Sequence, residues 1–266
     1  MERFLVAINM PEIPDLEAFS RNLTRRLSPA TLDKIVVHPR AQLKPSATAI
    51  RKAITGKKLR KVQREGKQLF FHFSDKATIA IHLMLHGEFR WAVSPKPAYV
   101  LVEFHFTGKP VLWLTDFHRQ ANLTLDPGIP DIPDVLDKKL DLGFWKKFLD
   151  DKAMVKSHLR NQDLLRGMGN AYTDEILYEA KISPFSVSSA IPITKIRALT
   201  RAIKKVYADG AKQIERNDPE VIGGEYRAFM KIHNSKKELS PSGYPIKKKT
   251  AGGSKTYFTD EQVLYK

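Results

Sequence analysis

The chain has 266 residues and no cysteine, which excludes disulfides and any zinc site built from thiolates. Its length suits two domains of about 100–150 residues, and its formal net charge of +16 favours a polyanionic partner. Residues 21–67 alone carry 14 Lys or Arg against 2 acidic residues, which favours nucleic acid over a membrane surface. No apolar run reaches the roughly 18–20 residues that cross a bilayer, and no secretory signal is evident, so we expect an intracellular protein.

The first half of the sequence predicts one helix followed by strands. Leu16, Phe19, Leu23 and Leu27 recur at helical spacing and predict a helix over residues 12–28. Apolar or alternating segments separated by turn residues then predict four strands, at residues 67–75, 77–85, 98–106 and 110–117.

A proline-rich segment divides the chain. Pro127, Pro130 and Pro133 lie within residues 126–137 and indicate a linker. We therefore predict an N-terminal domain over residues 1–136 and a second domain over 137–266. The second domain has a helical pattern at residues 143–151, 157–166, 170–180, 192–214 and 218–231, followed by short strands over 239–266.

The segment MPEIPDLEAF, residues 10–19, places a proline and a glutamate directly after a methionine. A proline near a helix start is common, because its missing N–H is not needed there. The segment also resembles the opening of the formamidopyrimidine-DNA glycosylase and endonuclease VIII family. In that family the methionine is removed and the proline amine is the nucleophile. The resemblance implies that Pro11 is the nucleophile, that Glu12 moves protons and that Asp15 lies in the base pocket.

The nine residues before Met10 bear on this chemistry. A Pro11 nitrogen acylated by Met10 is an amide and cannot act as a nucleophile. A free α-amino group has a pKa of about 7.7–8.0, so part of it is uncharged near neutral pH. We expect translation to start at Met10 or the extension to be trimmed; otherwise the protein is not a lyase.

Three further segments of the first half follow the order of motifs in the family. KVQREGKQLFF, residues 61–71, resembles the stretch whose lysine, here Lys67, follows a turn and assists beside the nucleophile. In IHLMLHGEFR, residues 81–90, the resemblance implies that His82 contacts phosphate and that Leu85 is the wedge that fills the place of a flipped base.

TDFHRQANL, residues 115–123, matches the loop that carries an arginine and a phenylalanine as void fillers in the family. Those positions read His118 and Gln120 here, and Arg119 lies between them. A shift of one residue would allow Arg119 to replace the family arginine.

The second half resembles the helix–two-turn–helix of the same family. VKSHLRNQDLLRGMGNAYTDEILYEAKISP, residues 155–184, has Gly167 and Gly169 around a tight turn and Asn170 at the start of a helix. A helix start with free N–H groups suits a phosphate. The resemblance implies that Lys156 and Asn170 bind DNA phosphates.

The C-terminal segment resembles the zincless β-hairpin finger of plant homologues. Four zinc-binding cysteines of many relatives align with Leu239, Ser242, Thr259 and Gln262, so we predict no metal site. The finger arginine that grips a phosphate aligns with Ser254, and Lys255 beside it is a candidate for the missing charge.

These features together predict an α+β protein. We expect an N-terminal β-sandwich, a helical domain with a helix–two-turn–helix, and a zincless hairpin. The resemblance implies a bifunctional DNA glycosylase and AP lyase that removes oxidised bases by a proline Schiff base and β,δ-elimination. We expect no cofactor, a monomer, and double-stranded DNA with a damaged base or abasic site as the partner. The alternatives are a non-catalytic binder of damaged DNA and, on charge alone, an RNA-binding protein.

Overall fold

The computed structural model describes residues 10–128, 130–251 and 253–266. The chain divides into two compact units, one made of residues up to 129 with 214–225, the other of residues 130–213 and 226–266. The expected start at Met10 concerns residues 1–9, which lie outside the described residues. The boundary predicted at residue 136 stays a prediction.

The first unit is a β-sandwich with two helices. Its helices are α1 (Ile13–Leu27) and α2 (Ala47–Ile54). Its strands are β1 (Leu32–Val37), β2 (Gln42–Lys44), β3 (Leu59–Glu65), β4 (Gln68–Phe73), β5 (Thr78–His82), β6 (Glu88–Trp91), β7 (Val100–Phe106), β8 (Leu112–Thr115) and β9 (Asn122–Leu125). One sheet has the order β1-β7-β8-β6 and the other β2-β9-β5-β4-β3. All pairs are antiparallel except β2 with β9.

Aromatic side chains join the two sheets. Phe71 of β4 lies with its ring centroid 5.6 Å from Phe89 of β6 and 6.0 Å from Phe104 of β7. All three rings are buried in one apolar cluster, as expected where two sheets pack face to face. The four apolar residues that predicted α1 are also buried in this cluster, so the predicted helix and β-sandwich are confirmed.

Residues 214–225 pack on α1 within the first unit. Arg21 pairs with Glu215 at 2.6 Å and Arg25 with Glu220 at 2.7 Å. The Asn22 side chain donates to the carbonyl of Val221 at 2.7 Å. The helix predicted over residues 218–231 is wrong, because this segment is extended and turned. Pro219 and two glycines at 223 and 224, the latter with φ +78°, disfavour a helix there.

The second unit is helical and ends in a hairpin. Its helices are α3 (Leu142–Phe148), α4 (Val155–Leu159), α5 (Asn170–Glu179) and α6 (Ile193–Asn217), whose last residues count with the first unit. Strands β10 (Lys247–Ala251) and β11 (Ser254–Phe258) form the hairpin. Among the described residues, no helix has both the length and the apolar character needed to cross a bilayer.

The helix predicted over residues 157–166 is much shorter in the structure. Helix α4 ends at Leu159, and the chain then turns. The Gln162 side chain donates to the carbonyls of Arg160 and Met168, both at 2.9 Å, and accepts from the N–H of Gly167 at 3.0 Å. These bonds replace the backbone bonds that would have continued the helix.

We expect Gly223→Ala to lower the free energy of unfolding by about 1–3 kcal/mol. A Cβ at this position would collide with the carbonyl oxygen of Phe89 and the Glu88 side chain. Urea denaturation of both forms measures the change. Gly128→Ala is the matched control, because a Cβ there meets nothing within 4 Å. Equal losses in the two variants would show that residue 223 has room for a side chain.

Candidate functional site

The Pro11 segment leads into the first helix. Pro11 is buried and lies two residues before α1, whereas Pro14 lies in its first turn. Pro14 therefore serves as the helix-entry proline, and the helix start does not explain Pro11. Glu12 is the N-cap residue, and its N–H donates to Asp15 Oδ2 at 2.9 Å. Asp15 is only 1% exposed and orders the helix start; its place in a base pocket stays a prediction.

The hairpin turn between β3 and β4 carries Lys67. The sequence predicted this lysine on a strand, but it lies in the two-residue turn with Gly66, whose φ is +57°. The turn brings Lys67 Nζ to 4.0 Å from the Sδ atom of Met10, 57 residues away. A cationic side chain thus lies beside the side chain of Met10, the residue before Pro11.

His82 ends strand β5 next to this lysine. It pairs in register with Gln68, the residue after Lys67. Its Nδ1 atom accepts the N–H of Met84 at 2.9 Å. Burial, and then the positive charge of Lys67, lower the pKa of His82 to about 4. The imidazole is therefore neutral at pH 7 and carries its proton on Nε2, which makes it a neutral hydrogen-bond donor.

Leu85 lies in the turn between β5 and β6 and is half-buried. Leu83, two residues earlier, belongs to the apolar core, whereas Leu85 does not. The turn is closed by the Gly87 N–H, which donates to the Leu83 carbonyl at 2.8 Å. Leu85 is therefore not a core residue of a strand, and its role as the wedge stays a prediction.

A second loop, residues 116–120, lies beside this turn. The ring centroids of His86 and His118 are 4.2 Å apart. Asp116, 1% exposed, accepts the N–H groups of His118, Gln120 and Ala121 at 2.7–2.8 Å. One buried carboxylate thus holds the backbone of the whole loop.

The 116–120 loop presents an aromatic side chain that the sequence reasoning missed. Phe117 is 73% exposed, and its ring lies edge-on to His118, with centroids 5.4 Å apart. The resemblance directed attention to His118 and Gln120. The available signal was an apolar residue directly after the loop aspartate.

In the second unit, the Lys156 side chain is buried rather than exposed to solvent. It is 3% exposed, and its Nζ lies 2.6 Å from Asp174 Oδ1 and 2.9 Å from Thr256 Oγ1. Asp174, fully buried, also accepts the Tyr257 N–H at 2.9 Å and lies 2.8 Å from His233 Nδ1. Through these contacts Lys156 joins the hairpin to α4 and α5, and its contact with a DNA phosphate stays a prediction.

Asn170 and the predicted finger residues meet at the base of the hairpin turn. Asn170 is the first residue of α5, after the N-cap Gly169, and its Nδ2 donates to the Lys255 carbonyl at 3.1 Å. Ser254 begins β11, and its hydroxyl accepts a hydrogen bond from Arg160. The Lys255 side chain is exposed, with Nζ 5.8 Å from the centroid of the Tyr257 ring.

Hydrogen bonds centred on Glu261 occupy the region where relatives hold zinc. Lys181 Nζ lies 2.6 Å from Glu261 Oε1, and Ser240 Oγ donates to Oε2 at 2.8 Å. Burial raises the pKa of Glu261, but the hydrogen bonds from Lys181 and Ser240 outweigh it and lower the pKa to about 2. Two of the aligned cysteine positions pair directly, because the Thr259 N–H donates to the Gln262 side chain at 2.9 Å.

The other two aligned positions, Leu239 and Ser242, are exposed. Across the described ranges, no three His, Asp or Glu side chains gather closely enough to hold a metal ion.

The titration of His82 generates a prediction. Its pKa is about 4 in the folded chain and about 6.5 unfolded, so the unfolded state binds more protons between these values. We expect stability to fall as the pH drops from 6.5 to 4, with His82 contributing roughly 2–3 kcal/mol. Chemical denaturation at several pH values should show a weaker decline in His82→Asn. An identical pH dependence in both forms would contradict the assignment.

Family comparisons agree with this structure. The model of the formamidopyrimidine-DNA glycosylase N-terminal domain matches residues 10–123, and that of the formamidopyrimidine-DNA glycosylase H2TH domain matches residues 132–217. A formamidopyrimidine-DNA glycosylase of Lactobacillus gasseri is 29% identical over 97% of this chain and 100% of the relative. That of Acidothermus cellulolyticus is 32% identical over 74% of this chain and 75% of the relative.

Solved structures share the fold. The formamidopyrimidine-DNA glycosylase of Lactococcus lactis, non-covalently bound to DNA containing an AP site, has a TM-score of 0.81. At 22% identity the match covers 95% of this chain and 99% of that one. The family and the α+β fold predicted from the sequence are therefore confirmed. The chain belongs to the formamidopyrimidine-DNA glycosylase family.

Proposed function

We propose that this chain is a base-excision repair enzyme that removes oxidised, formamidopyrimidine-type bases from double-stranded DNA and then cleaves the strand as an AP lyase. The observation that carries the proposal is that Lys67, next to His82 in the sheet, places its Nζ atom 4.0 Å from the Sδ atom of Met10, the residue before Pro11. Relatives named formamidopyrimidine-DNA glycosylase, which match 94–97% of the chain, support it. Such an enzyme works beside chromosomal DNA, so we place it inside the cell and expect a monomer.

The nucleophile in this proposal is the Pro11 nitrogen, once it is the first atom of the chain. The family match begins at residue 10, which supports removal of Met10 as the step that exposes it. A nearby positive charge disfavours protonation of an amine. Lys67 would therefore keep a larger fraction of the Pro11 amine uncharged at neutral pH, and an uncharged amine has the lone pair needed for attack.

The proposed reaction begins at the sugar. The nitrogen lone pair forms a bond to C1′, and the bond from C1′ to the damaged base breaks, the base leaving with a proton. The C1′–O4′ bond then opens, O4′ takes a proton, and the nitrogen becomes an iminium. This iminium accepts electrons when a proton leaves C2′, so the 3′ phosphate is expelled by β-elimination. A proton then leaves C4′ and the 5′ phosphate is expelled by δ-elimination, after which water hydrolyses the iminium and frees the Pro11 amine.

Side chains beside Pro11 supply the proton transfers. Glu12 and Lys67 are the proposed proton carriers, since both flank the nucleophile in sequence or space. His82 is neutral and donates from Nε2, so it suits a phosphate oxygen as a hydrogen-bond donor rather than as a cation. In the second unit, Asn170 and Lys255 are proposed to contact the DNA backbone.

The two loops of the first unit suit the opening of the duplex. A base must leave the stack before it can be excised, at a cost of a few kcal/mol. Leu85 and Phe117 are apolar side chains on loops held together by the His86–His118 contact. Phe117 is exposed, and its ring lies edge-on to His118. We propose that it fills the space left by the flipped base, in place of the family phenylalanine. We propose that His118 and Arg119 contact the DNA strand opposite the lesion.

Borohydride trapping tests the nucleophile. A form that begins at Pro11 should give a covalent adduct with abasic-site DNA, and mass spectrometry should place that adduct on Pro11. A form that keeps residues 1–10 should give none, because its Pro11 nitrogen is an amide. An adduct formed equally well by both, or attached to a lysine, would refute the nucleophile. Tight binding to lesion DNA without any adduct would favour the non-catalytic alternative.

Phe117→Ala tests the wedge. We expect excision from a fully paired lesion duplex to fall about tenfold, because stacking of an aromatic side chain on a base contributes about 1–3 kcal/mol. Fluorescence of 2-aminopurine next to the lesion should show less unstacking. Val93→Ala is the control, since Val93 is 65% exposed in the same unit. Phe117→Leu should recover part of the activity. A Phe117→Ala enzyme that unstacks and cuts like the control would contradict the role.

A further inference from the structure

Arg160 reaches the hairpin at the position where the family arginine is absent. Its Nη1 atom donates to the Oγ atom of Ser254 at 2.5 Å, although the two residues are 94 apart in sequence. Ser254 is the residue that aligns with the finger arginine. A guanidinium therefore contacts the residue that aligns with the family arginine, and it comes from the end of helix α4 instead of from the hairpin.

The charge of the Arg160 guanidinium is the second feature of this contact. In the described part of the chain, no carboxylate lies within salt-bridge distance of its guanidinium. Lys156, four residues earlier, differs because its ammonium is buried against Asp174. An arginine has five N–H donors in a planar fork, which matches the oxygens of a phosphate. The Ser254 hydroxyl occupies one of these donors.

The backbone around Arg160 is held in place. Arg160 is the C-cap residue of α4, and its carbonyl accepts from Gln162, which also binds Gly167 and Met168. Across from it, Asn170 holds the carbonyl of Lys255. The guanidinium, the start of β11 and the Asn170 side chain are thus brought together by fixed hydrogen bonds. A site with pre-ordered donors loses little entropy when an anion binds.

We infer that Arg160 binds a phosphodiester group of the DNA strand that carries the lesion, with Ser254 orienting its guanidinium. This inference rests on the proposed function. The hairpin has lost its own arginine, and the neighbouring helix supplies the charge. The ligand is a phosphate because the fork of donors is uncompensated and lies beside Asn170, at the first residue of helix α5.

Binding to a duplex with a tetrahydrofuran abasic analogue tests the inference without chemistry. We expect Arg160→Ala to raise Kd about tenfold near 100 mM salt, the usual effect of losing a charged hydrogen bond. The slope of log Kd against log salt should fall by about one, because one phosphate contact is lost. Arg201→Ala is the matched control, since Arg201 is an exposed arginine of α6 in the same unit.

Two further variants keep the result interpretable. Arg160→Lys keeps the charge without the fork and should lie between Arg160→Ala and the parent chain. The double variant Arg160→Ala with Ser254→Arg returns the guanidinium to the hairpin and should recover most of the affinity. Thermal unfolding of each variant identifies any that fail to fold. If Arg160→Ala fails to fold, the affinity of the double variant decides whether a guanidinium is needed at this position.

The outcomes separate the inference from the proposed function. If the parent chain binds lesion DNA no better than undamaged duplex, the proposed function fails. If it binds well but Arg160→Ala matches Arg201→Ala in both Kd and salt slope, only the role of Arg160 is overturned. Failure of Ser254→Arg to recover affinity in a folded Arg160→Ala background would also overturn it.

Discussion

The second unit depends on a carboxylate that has no access to water. Asp174 is fully buried, and Lys156, Tyr257 and His233 all contact it. An unpaired buried carboxylate costs several kcal/mol, so the charge is tolerated only when these partners are in place. Tyr257 belongs to the hairpin and Lys156 to α4. If the hairpin separated from the helices, Asp174 would lose the Tyr257 N–H and Lys156 would lose the Thr256 hydroxyl. These bonds set the positions of Ser254 and Lys255 relative to Arg160 and Asn170.

The segment around the hairpin is held together by several side-chain contacts. A structural zinc ion contributes about 10–16 kcal/mol at a single point. Here many small terms act together: the Lys181–Glu261 ion pair, the Ser240 hydroxyl on the same carboxylate, and the bond from Thr259 to Gln262. The low pKa of Glu261 shows that its charged form is the stabilised one.

The first unit uses rigid loops in a similar way. The Asp116 carboxylate accepts three backbone N–H groups of its loop, so the loop is ordered although the Phe117 side chain is exposed. A two-residue turn holds Lys67 beside the Met10 side chain and next to a neutral histidine. In both cases the backbone that carries the side chain forms its hydrogen bonds locally, so Phe117 and Lys67 are held in defined positions.

The sequence by itself determined the local patterns and the family. The apolar spacing of Leu16, Phe19 and Leu23 was enough for α1, and strand alternation was enough for a β-sandwich, because both periods report which face is buried. Motif order placed Pro11, Lys67 and His82 in one family register. Tertiary structure decided what pattern cannot encode, namely which groups distant in sequence become partners.

The burial of Lys156 against Asp174, the contact of Arg160 with Ser254 and the exposure of Phe117 all depend on contacts between elements far apart in sequence. The missing helix at residues 218–231 has a local cause instead, because Pro219 and the glycines at 223 and 224 disfavour a helix there. Gly223 packs against the Phe89 backbone, and only the folded chain shows that this close approach leaves no room for a side chain.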